Sequence, residues 1–239
     1  MVILARPTES MYLPKHVVVI PDGNRRWAAE HNMPLDLAYS QAATRAKELI
    51  TGAHKLGIKI FTFWAFSSEN WSRDSHEVDV IMAIARRYLS DKAFIEEIKA
   101  SNGGFRHLGR KDRIPSEVRT LIEQLEHETA ANQEYTFNFA FDYGGRDEIL
   151  RAIAKAAQSG KNVEEMTAEE FGCFLDTGGQ YDPDMIIRTS GESRISGLMP
   201  WQSCYSELYF DDVLFPDFTT THLTMAIEEY SRRERRLGR

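Results

Sequence analysis

The feature that most constrains this chain is a series of short apolar runs, each stopping at a polar turn and followed by a stretch with helical periodicity. Val17-Val18-Val19-Ile20 is the first such run, ended by Pro21-Asp22-Gly23. A run of β-branched residues without polar alternation predicts a strand covered on both faces. Over residues 38–56, Ala42, Ala46, Leu49, Ile50, Ala53 and Leu56 recur at helical spacing, and Gly57 stands where a helix C-terminal glycine belongs. Residues 58–66 read as a second strand. Residues 78–98 carry Val78, Ile81, Ala85, Tyr88, Leu89, Ile95 and Ile98 and predict one long helix, stopped by Asn102-Gly103-Gly104. Residues 105–109 and 135–141 predict further strands, with a helix marked by Val118, Leu121, Ile122 and Leu125 between them. Gly145 opens another helix, and Thr167-x-x-Glu170 is a capping-box pattern ahead of Phe171. Residues 185–188 and 208–211 are short strands, and residues 223–230 a terminal helix. Strands separated by helices give an α/β fold with a mostly parallel central sheet of about six strands flanked by helices. No repeat or linker divides it, so one domain over residues 1–239 is expected.

Composition narrows the class. A chain of 239 residues buries about 70% of its unfolded surface, enough for a real core. Twenty-nine Lys and Arg against 36 Asp and Glu leave a formal charge of −7, which argues against a nucleic-acid partner, because phosphate neutralisation needs a basic face. A few converging arginines still suffice for a small anion. No apolar run is long enough to span a bilayer, and Arg6, Glu9 and Lys15 interrupt the first apolar stretch, so neither a transmembrane segment nor a signal segment is expected. With only Cys173 and Cys204, no disulfide framework or zinc cluster is written here, and a reducing, cytoplasmic setting follows. Residues 232–239 carry five Arg and one Glu, as a solvated tail or a phosphate-binding segment would.

Ligands of α/β sheets bind at the carboxyl ends of strands, and three such ends here are unusually polar. The first is Asp22-Gly23-Asn24-Arg25-Arg26-Trp27. Gly23 permits tight backbone geometry, the arginines suit an anion, and Asp22 is a hard oxygen ligand suited to Mg²⁺ shared with phosphate. A plain turn before a helix with solvated arginines is the competing reading. The second is Phe66-Ser67-Ser68-Glu69-Asn70-Trp71-Ser72-Arg73, whose Ser and Asn would equally serve a helix start. The third runs from Arg188 through Thr189-Ser190-Gly191 to Arg194 and Ser196, a Gly/Ser loop between two arginines that can form an anion nest. It is neither a P-loop nor a dinucleotide fingerprint. Glu207, ahead of Leu208-Tyr209-Phe210, is either an ion-paired surface residue or a metal ligand. Aromatic residues crowd the central strands (Phe61, Phe63, Trp64, Phe66, Phe137, Phe139, Phe141). An oily cavity among them, behind a diphosphate clamp, would accept an isoprenoid tail.

These motifs resemble those of the cis-prenyltransferases, the undecaprenyl diphosphate synthase family. The resemblance runs from His16 to Arg236 and rests on His16-Val17-Val18-Val19-Ile20-Pro21-Asp22-Gly23-Asn24-Arg25-Arg26-Trp27, on Ala65-Phe66-Ser67-Ser68-Glu69-Asn70-Trp71, and on Tyr143-Gly144-Gly145-Arg146. Ile187-Arg188-Thr189 through Arg194-Ile195-Ser196, and Glu207-Leu208-Tyr209-Phe210, complete it. The resemblance implies a homodimer with a hydrophobic tunnel. It implies that Asp22 binds Mg²⁺ with the allylic diphosphate while Gly23, Asn24 and Arg26 hold its oxygens, with Arg25 and Trp27 in the same segment. Ser67, Asn70, Trp71 and Arg73 would line the reacting centre. Arg188, Arg194 and Ser196 would grip the second diphosphate, and Glu207 would join the metal across a dimer interface.

Departures from the common pattern refine the expectation. Leu35 stands where the family carries a phosphate-binding Arg, and Tyr39 where it carries a His. Arg25 replaces a small residue and can return the missing cation, and Asp74 replaces a Pro after Arg73. Tyr39 donates a hydrogen bond but lacks a group that titrates near neutrality. A Leu-Asp-x-x-Tyr stretch after Pro-Asp-Gly-x-Arg-Arg-Trp resembles the irregular lavandulyl and isosesquilavandulyl diphosphate synthases of secondary metabolism. The expected activity is therefore head-to-middle joining of dimethylallyl or geranyl diphosphate with dimethylallyl diphosphate. The alternatives are ordinary head-to-tail elongation with isopentenyl diphosphate, and a non-catalytic partner subunit.

Overall fold

The computed structural model describes residues 12–233. Arg6, Glu9 and the arginines beyond Arg233 lie outside the described residues. Six strands, β1 (His16–Ile20), β2 (Ile60–Ser67), β3 (Gly103–Leu108), β4 (Tyr135–Tyr143), β5 (Met185–Arg188) and β6 (Glu207–Phe210), form one sheet. Its order is β3-β4-β2-β1-β5-β6 and every pairing is parallel. The helices are α1 (Asn24–Glu30), α2 (Leu35–Lys55), α3 (Ser75–Leu89), α4 (Lys92–Ala100), α5 (Ser116–Glu128), α6 (Gly145–Gln158), α7 (Ala168–Gly172) and α8 (Thr220–Arg232). From β1 the chain builds toward β2 on one side and, later, toward β5 on the other. The crevice beyond the carboxyl end of β1 is thus the place where strand order reverses, where such sheets bind ligands.

Side-chain alternation divides the core. Val17, Val19, Phe61, Phe63, Phe137 and Phe139 point to the larger apolar cluster, which takes in the inner faces of α2, α3, α5 and α8. Val18, Ile20, Trp64, Ala140 and Ile186 point the other way, onto Leu198 and Met199. β1 and β5 are buried along their whole length, as their lack of polar alternation predicts, whereas edge strand β6 leaves Leu208 and Phe210 exposed.

Several boundaries differ from expectation: β3 opens at Gly103, inside the expected helix stop, and ends at Leu108, β4 runs on to Tyr143, and α8 spans Thr220–Arg232. The long helix predicted over residues 78–98 is two helices, because Asp91 accepts a hydrogen bond from the Phe94 amide at 3.2 Å and starts α4 afresh. An ion pair with Lys47 of α2 holds Asp91 in place. The strand expected from Ile58 begins at Ile60, since Gly57 at φ 93° redirects the chain there. The last strand includes Glu207 and ends at Phe210. The capping box does form, with the Glu170 amide donating to Thr167 at 3.2 Å and the Thr167 amide donating to Glu170 at 3.0 Å. No described helix is long and apolar enough to cross a membrane.

Candidate active site

The segments leaving β1, β2 and β5 meet over one cavity of about 370 Å³, within the range of small-ligand sites. Its mouth begins at Asp22. The Asp22 amide donates to Thr189 Oγ1 at 2.9 Å, and the Thr189 hydroxyl donates to the Asp22 carbonyl at 2.7 Å. This double bond ties the end of β1 to the end of β5. Asp22 Oδ2 takes Arg188 Nη2 at 2.8 Å, and Oδ1 takes the Gly23 amide at 2.7 Å. Burial alone would raise the Asp22 carboxyl, but the hydrogen bond and charge of Arg188 outweigh it and hold the group below its ordinary value. Gly23 sits at φ 103°, and a Cβ there would stand 2.8 Å from Leu214 Cδ2 and 3.0 Å from Ser190 Cβ. Only glycine suits both the conformation and the space.

Arg188 spans the mouth. Its Nη1 donates to Ser196 Oγ at 2.7 Å and to the Arg194 carbonyl at 2.5 Å, while its buried Nε has no partner. Asn24 donates from Nδ2 to the Pro21 carbonyl at 3.0 Å, and its buried Oδ1 also has no partner. Buried polar atoms are rarely left unpaired, and here two lie at the rim of one cavity.

The second strand end is aimed by an irregularity. Pairing of β2 with β4 slips between Trp64 and Phe66 and again before Ser67. That shift turns Ala65 and Ser67 toward the cavity. Asn70 Oδ1 accepts from the Ser67 amide at 3.1 Å, so the turn that follows β2 is closed by a side chain that also lines the cavity.

Across from Asp22, Tyr39 of α2 donates to Glu77 Oε1 at 2.7 Å. Arg73 Nη1 donates to the same carboxylate oxygen at 2.7 Å and to the Tyr39 hydroxyl at 3.1 Å. Arg25 Nη1 lies 3.9 Å from Glu77 Oε2. Burial first, and the bond to Glu77 second, push the Tyr39 phenol well above its ordinary value, so it stays protonated. Deeper in, Ala42, Ala46 and Ala85 form smooth walls, with Phe139, Phe137 and Tyr88 behind them.

Most of the residues singled out in the sequence line this cavity: Asp22, Gly23, Asn24, Arg25, Arg26, Tyr39, Ser67, Asn70, Arg73, Arg188 and Ser196. Others stand apart from it. Trp27 donates from its indole to Asp217 Oδ2 at 2.8 Å and packs with Leu35, fastening α1 rather than lining the space. Trp71 lies edge-on to Phe66, with ring centroids 5.1 Å apart. The side chain of Arg194 pairs with Glu192 at the rim, where Arg26 also approaches Glu192 at 3.9 Å. Glu207 pairs in register with Met185, and Met185 with Val17, so it sits at the amino end of the sheet, where Arg233 holds it at 2.9 Å. Phe61 and Phe66 belong to the core but not to the cavity wall. Sequence reading missed Glu77 and the structural part of Thr189. The readable signal for Glu77 was its place four residues after Arg73, the spacing of a helical ion pair.

Asp22 and the unpartnered Asn24 Oδ1 offer hard oxygen donors of the kind Mg²⁺ accepts. No group of three or more His, Cys, Asp or Glu able to hold a metal occurs among the described residues. Water and substrate phosphates would therefore complete the shell, as they commonly do for this ion. The residues fit such a shared ion.

Residues 20–238 match the prenyltransferase family model described as "Putative undecaprenyl diphosphate synthase". The chain belongs to this family. An isoprenyl transferase of Aquifex pyrophilus is 41% identical over 230 residues, covering 96% of this chain and 98% of that protein. That of Bacillus anthracis is 39% identical over 239 residues, covering 98% and 92%. Among solved structures, lavandulyl diphosphate synthase from Lavandula x intermedia, in complex with dimethylallyl diphosphate, superposes with a TM-score of 0.90 at 32% identity, covering 95% of this chain and 99% of that one. A probable undecaprenyl diphosphate synthase from Campylobacter jejuni gives 0.79 at 30% identity, covering 96% and 100%. The cis-prenyltransferase fold expected from the motifs is the fold observed. The chain is an enzyme of isoprenoid biosynthesis, a prenyl diphosphate synthase of the cis-prenyltransferase family.

Proposed function

We propose that this enzyme joins an allylic prenyl diphosphate of five or ten carbons to a second five-carbon diphosphate, head to middle, giving a branched lavandulyl- or isosesquilavandulyl-type product. The observation that carries the reading is Tyr39. Its phenol lines the cavity mouth in a hydrogen-bonded group with Glu77 and Arg73, while Leu35 is withdrawn into the apolar cluster around Trp27. The similarity to a synthase solved with dimethylallyl diphosphate supports it.

In this reading Gly23, Asn24 and Arg26 hold the allylic diphosphate at the mouth, and its tail lies between the alanines of α2 and the aromatic strands. Asp22 and Asn24 would hold Mg²⁺, which when bound would supply charge neutralisation for the leaving group. The C–O bond breaks and its electron pair leaves with the diphosphate, whose growing charge Arg26 and Arg188 stabilise. The π electrons of the second substrate's alkene form the new C–C bond to the allylic cation. A neighbouring carbon then loses a proton to a diphosphate oxygen, restoring a double bond. Apolar walls keep water from trapping the cation as an alcohol. Ser196 and the Arg188–Arg194 loop hold the second diphosphate. Because Glu207 lies at the far end of the sheet from Asp22, it would join the metal only from a second copy of the chain, and a cytoplasmic homodimer is part of the proposal.

The test is product identification after incubation with dimethylallyl diphosphate alone, and then with geranyl diphosphate added. Branched products are expected. A second reading, head-to-tail elongation with isopentenyl diphosphate, draws support from the relatives named isoprenyl transferase and from Arg25, which lines the mouth and replaces the cation absent at Leu35. A linear product formed only with isopentenyl diphosphate would establish this second reading in place of the first.

A further inference from the structure

Glu77 is the least exposed carboxylate at the mouth, with 8% of its side-chain surface accessible, yet it does not line the cavity itself. Side chains that do line it reach back to Glu77 from different elements: Arg25 from α1, Tyr39 from α2, and Arg73 from the segment ahead of α3. Oε1 receives both the Tyr39 hydroxyl and Arg73 Nη1, each at 2.7 Å, and Oε2 faces Arg25 at 3.9 Å. Two positions at which this chain departs from the common pattern, 25 and 39, therefore meet on one buried carboxylate.

The geometry points to Glu77 as a positioning residue that makes Arg25, Tyr39 and Arg73 a single coupled unit, fixing where the reacting centre's cations stand rather than binding diphosphate. The Tyr39 proton is committed to Glu77, and one of its lone pairs takes Arg73, so the phenol is set as a rigid spacer and not as a proton source. The charge count gives this unit a signature. One carboxylate faces two guanidinium groups, so a net positive charge remains for the substrate. Removing the carboxylate frees both cations toward the phosphates while releasing their fixed geometry. Substrate affinity should hold or improve as turnover falls. A residue that grips diphosphate directly, such as Arg188, gives the opposite pattern, a raised KM.

This inference rests on the reading of the cavity as a prenyl-transfer site. It is tested with Glu77→Gln, Tyr39→Phe and the double variant, using whichever pair of prenyl diphosphates the wild type converts. Glu77→Gln is expected to lower kcat roughly 10- to 100-fold, the range for lost hydrogen bonds to a charged group, with KM for the allylic substrate unchanged or lower. Tyr39→Phe is expected to lower kcat in the wild type and to add nothing in the Glu77→Gln background. Additive losses, or a raised KM with kcat intact, would overturn the assignment. Arg25→Ala provides a variant at an exposed position, 67% accessible at the side chain. Its cycle with Tyr39→Phe must show the same non-additivity. If the wild type converted no pair at all, the proposed reaction would fail, but the coupling would still be read in the thermal midpoints of the same proteins. Independent shifts of those midpoints would then refute the coupled unit.

Discussion

Two buried polar clusters occupy opposite ends of the same central strands, and they differ in how completely they are paired. At the amino half, His16 Nδ1–H donates to the Tyr181 carbonyl and Nε2 accepts from the Thr62 hydroxyl, each at 2.7 Å. Asn138 Nδ2 donates to Thr62 Oγ1 at 2.9 Å and to Gln180 Oε1 at 2.7 Å, and Gln180 Nε2 returns a bond to Asn138 Oδ1 at 2.9 Å. That row is closed. At the carboxyl end, Asn24 Oδ1 and Arg188 Nε are as deeply buried but have no partner. The paired row holds the strands together, whereas the open valences at the mouth carry a cost in stability that a polar ligand would relieve.

The sharpest way to break this comparison is at the open end. Asp22→Ala should lower kcat by about 10³-fold, the upper range for removing one electrostatic stabiliser, with a small change in thermal midpoint. Retained turnover in steady-state assays would mean that the open valences are not the reacting centre.

The closed end is probed by pH. Burial holds His16 near pKa 4, against an ordinary 6.5, and does the same, outside that row, to His107 of β3, whose Nε2–H donates to the Phe141 carbonyl at 2.8 Å. The unfolded chain therefore takes up these protons at a higher pH than the native one. Stability is full above about pH 6.5 and is lost as pH falls toward 4, by roughly 3 kcal/mol for each site. Denaturant melts across this window should show the slope, and His16→Asn should flatten it. Asp22 carries the opposite kind of charge. Its depressed carboxyl keeps its contribution down to the ordinary carboxylate range and loses it only below.

A smaller effect is expected from Asn138→Ala, which strips Gln180 and Thr62 of partners. A loss of about 2 kcal/mol in urea unfolding should come with kcat unchanged. The smallest change concerns the apolar floor. Tyr88 lines the cavity, its ring 4.8 Å from Phe94, and also borders a second small space with Thr44, Lys47 and Asp91. Tyr88→Ala should lengthen the accepted tail by about one unit, read by mass spectrometry of the products. An unchanged product would place the floor elsewhere.

The strands were legible because Val17–Val19 and the aromatic runs of β2 and β4 admit few alternatives, and the turn residues after them marked the strand ends where the mouth lies. The break at Ser90–Asp91 was not legible. It depends on a cap whose carboxylate is held by Lys47 from another helix. Glu77 was passed over because a Glu in the first turn of an amphipathic helix reads as solvated, and only the fold brings Tyr39 and Arg25 to it. Glu207 shows the reverse. Its type suited a metal ligand, but register, which no local signal encodes, carries it to the amino end beside Arg233. Trp27 likewise looked like part of the site and turned out to fasten α1 through Asp217.

Asp22 and Arg188 touch across 166 positions of chain. On a ribosome this pair therefore cannot form until nearly four-fifths of the polypeptide has emerged and β5 has docked beside β1, well after the first half has begun to fold. Such non-local pairing is slow to form, and a nascent or truncated chain would carry the oily pocket without its lock. The cavity mouth is thus completed late in the synthesis of the chain.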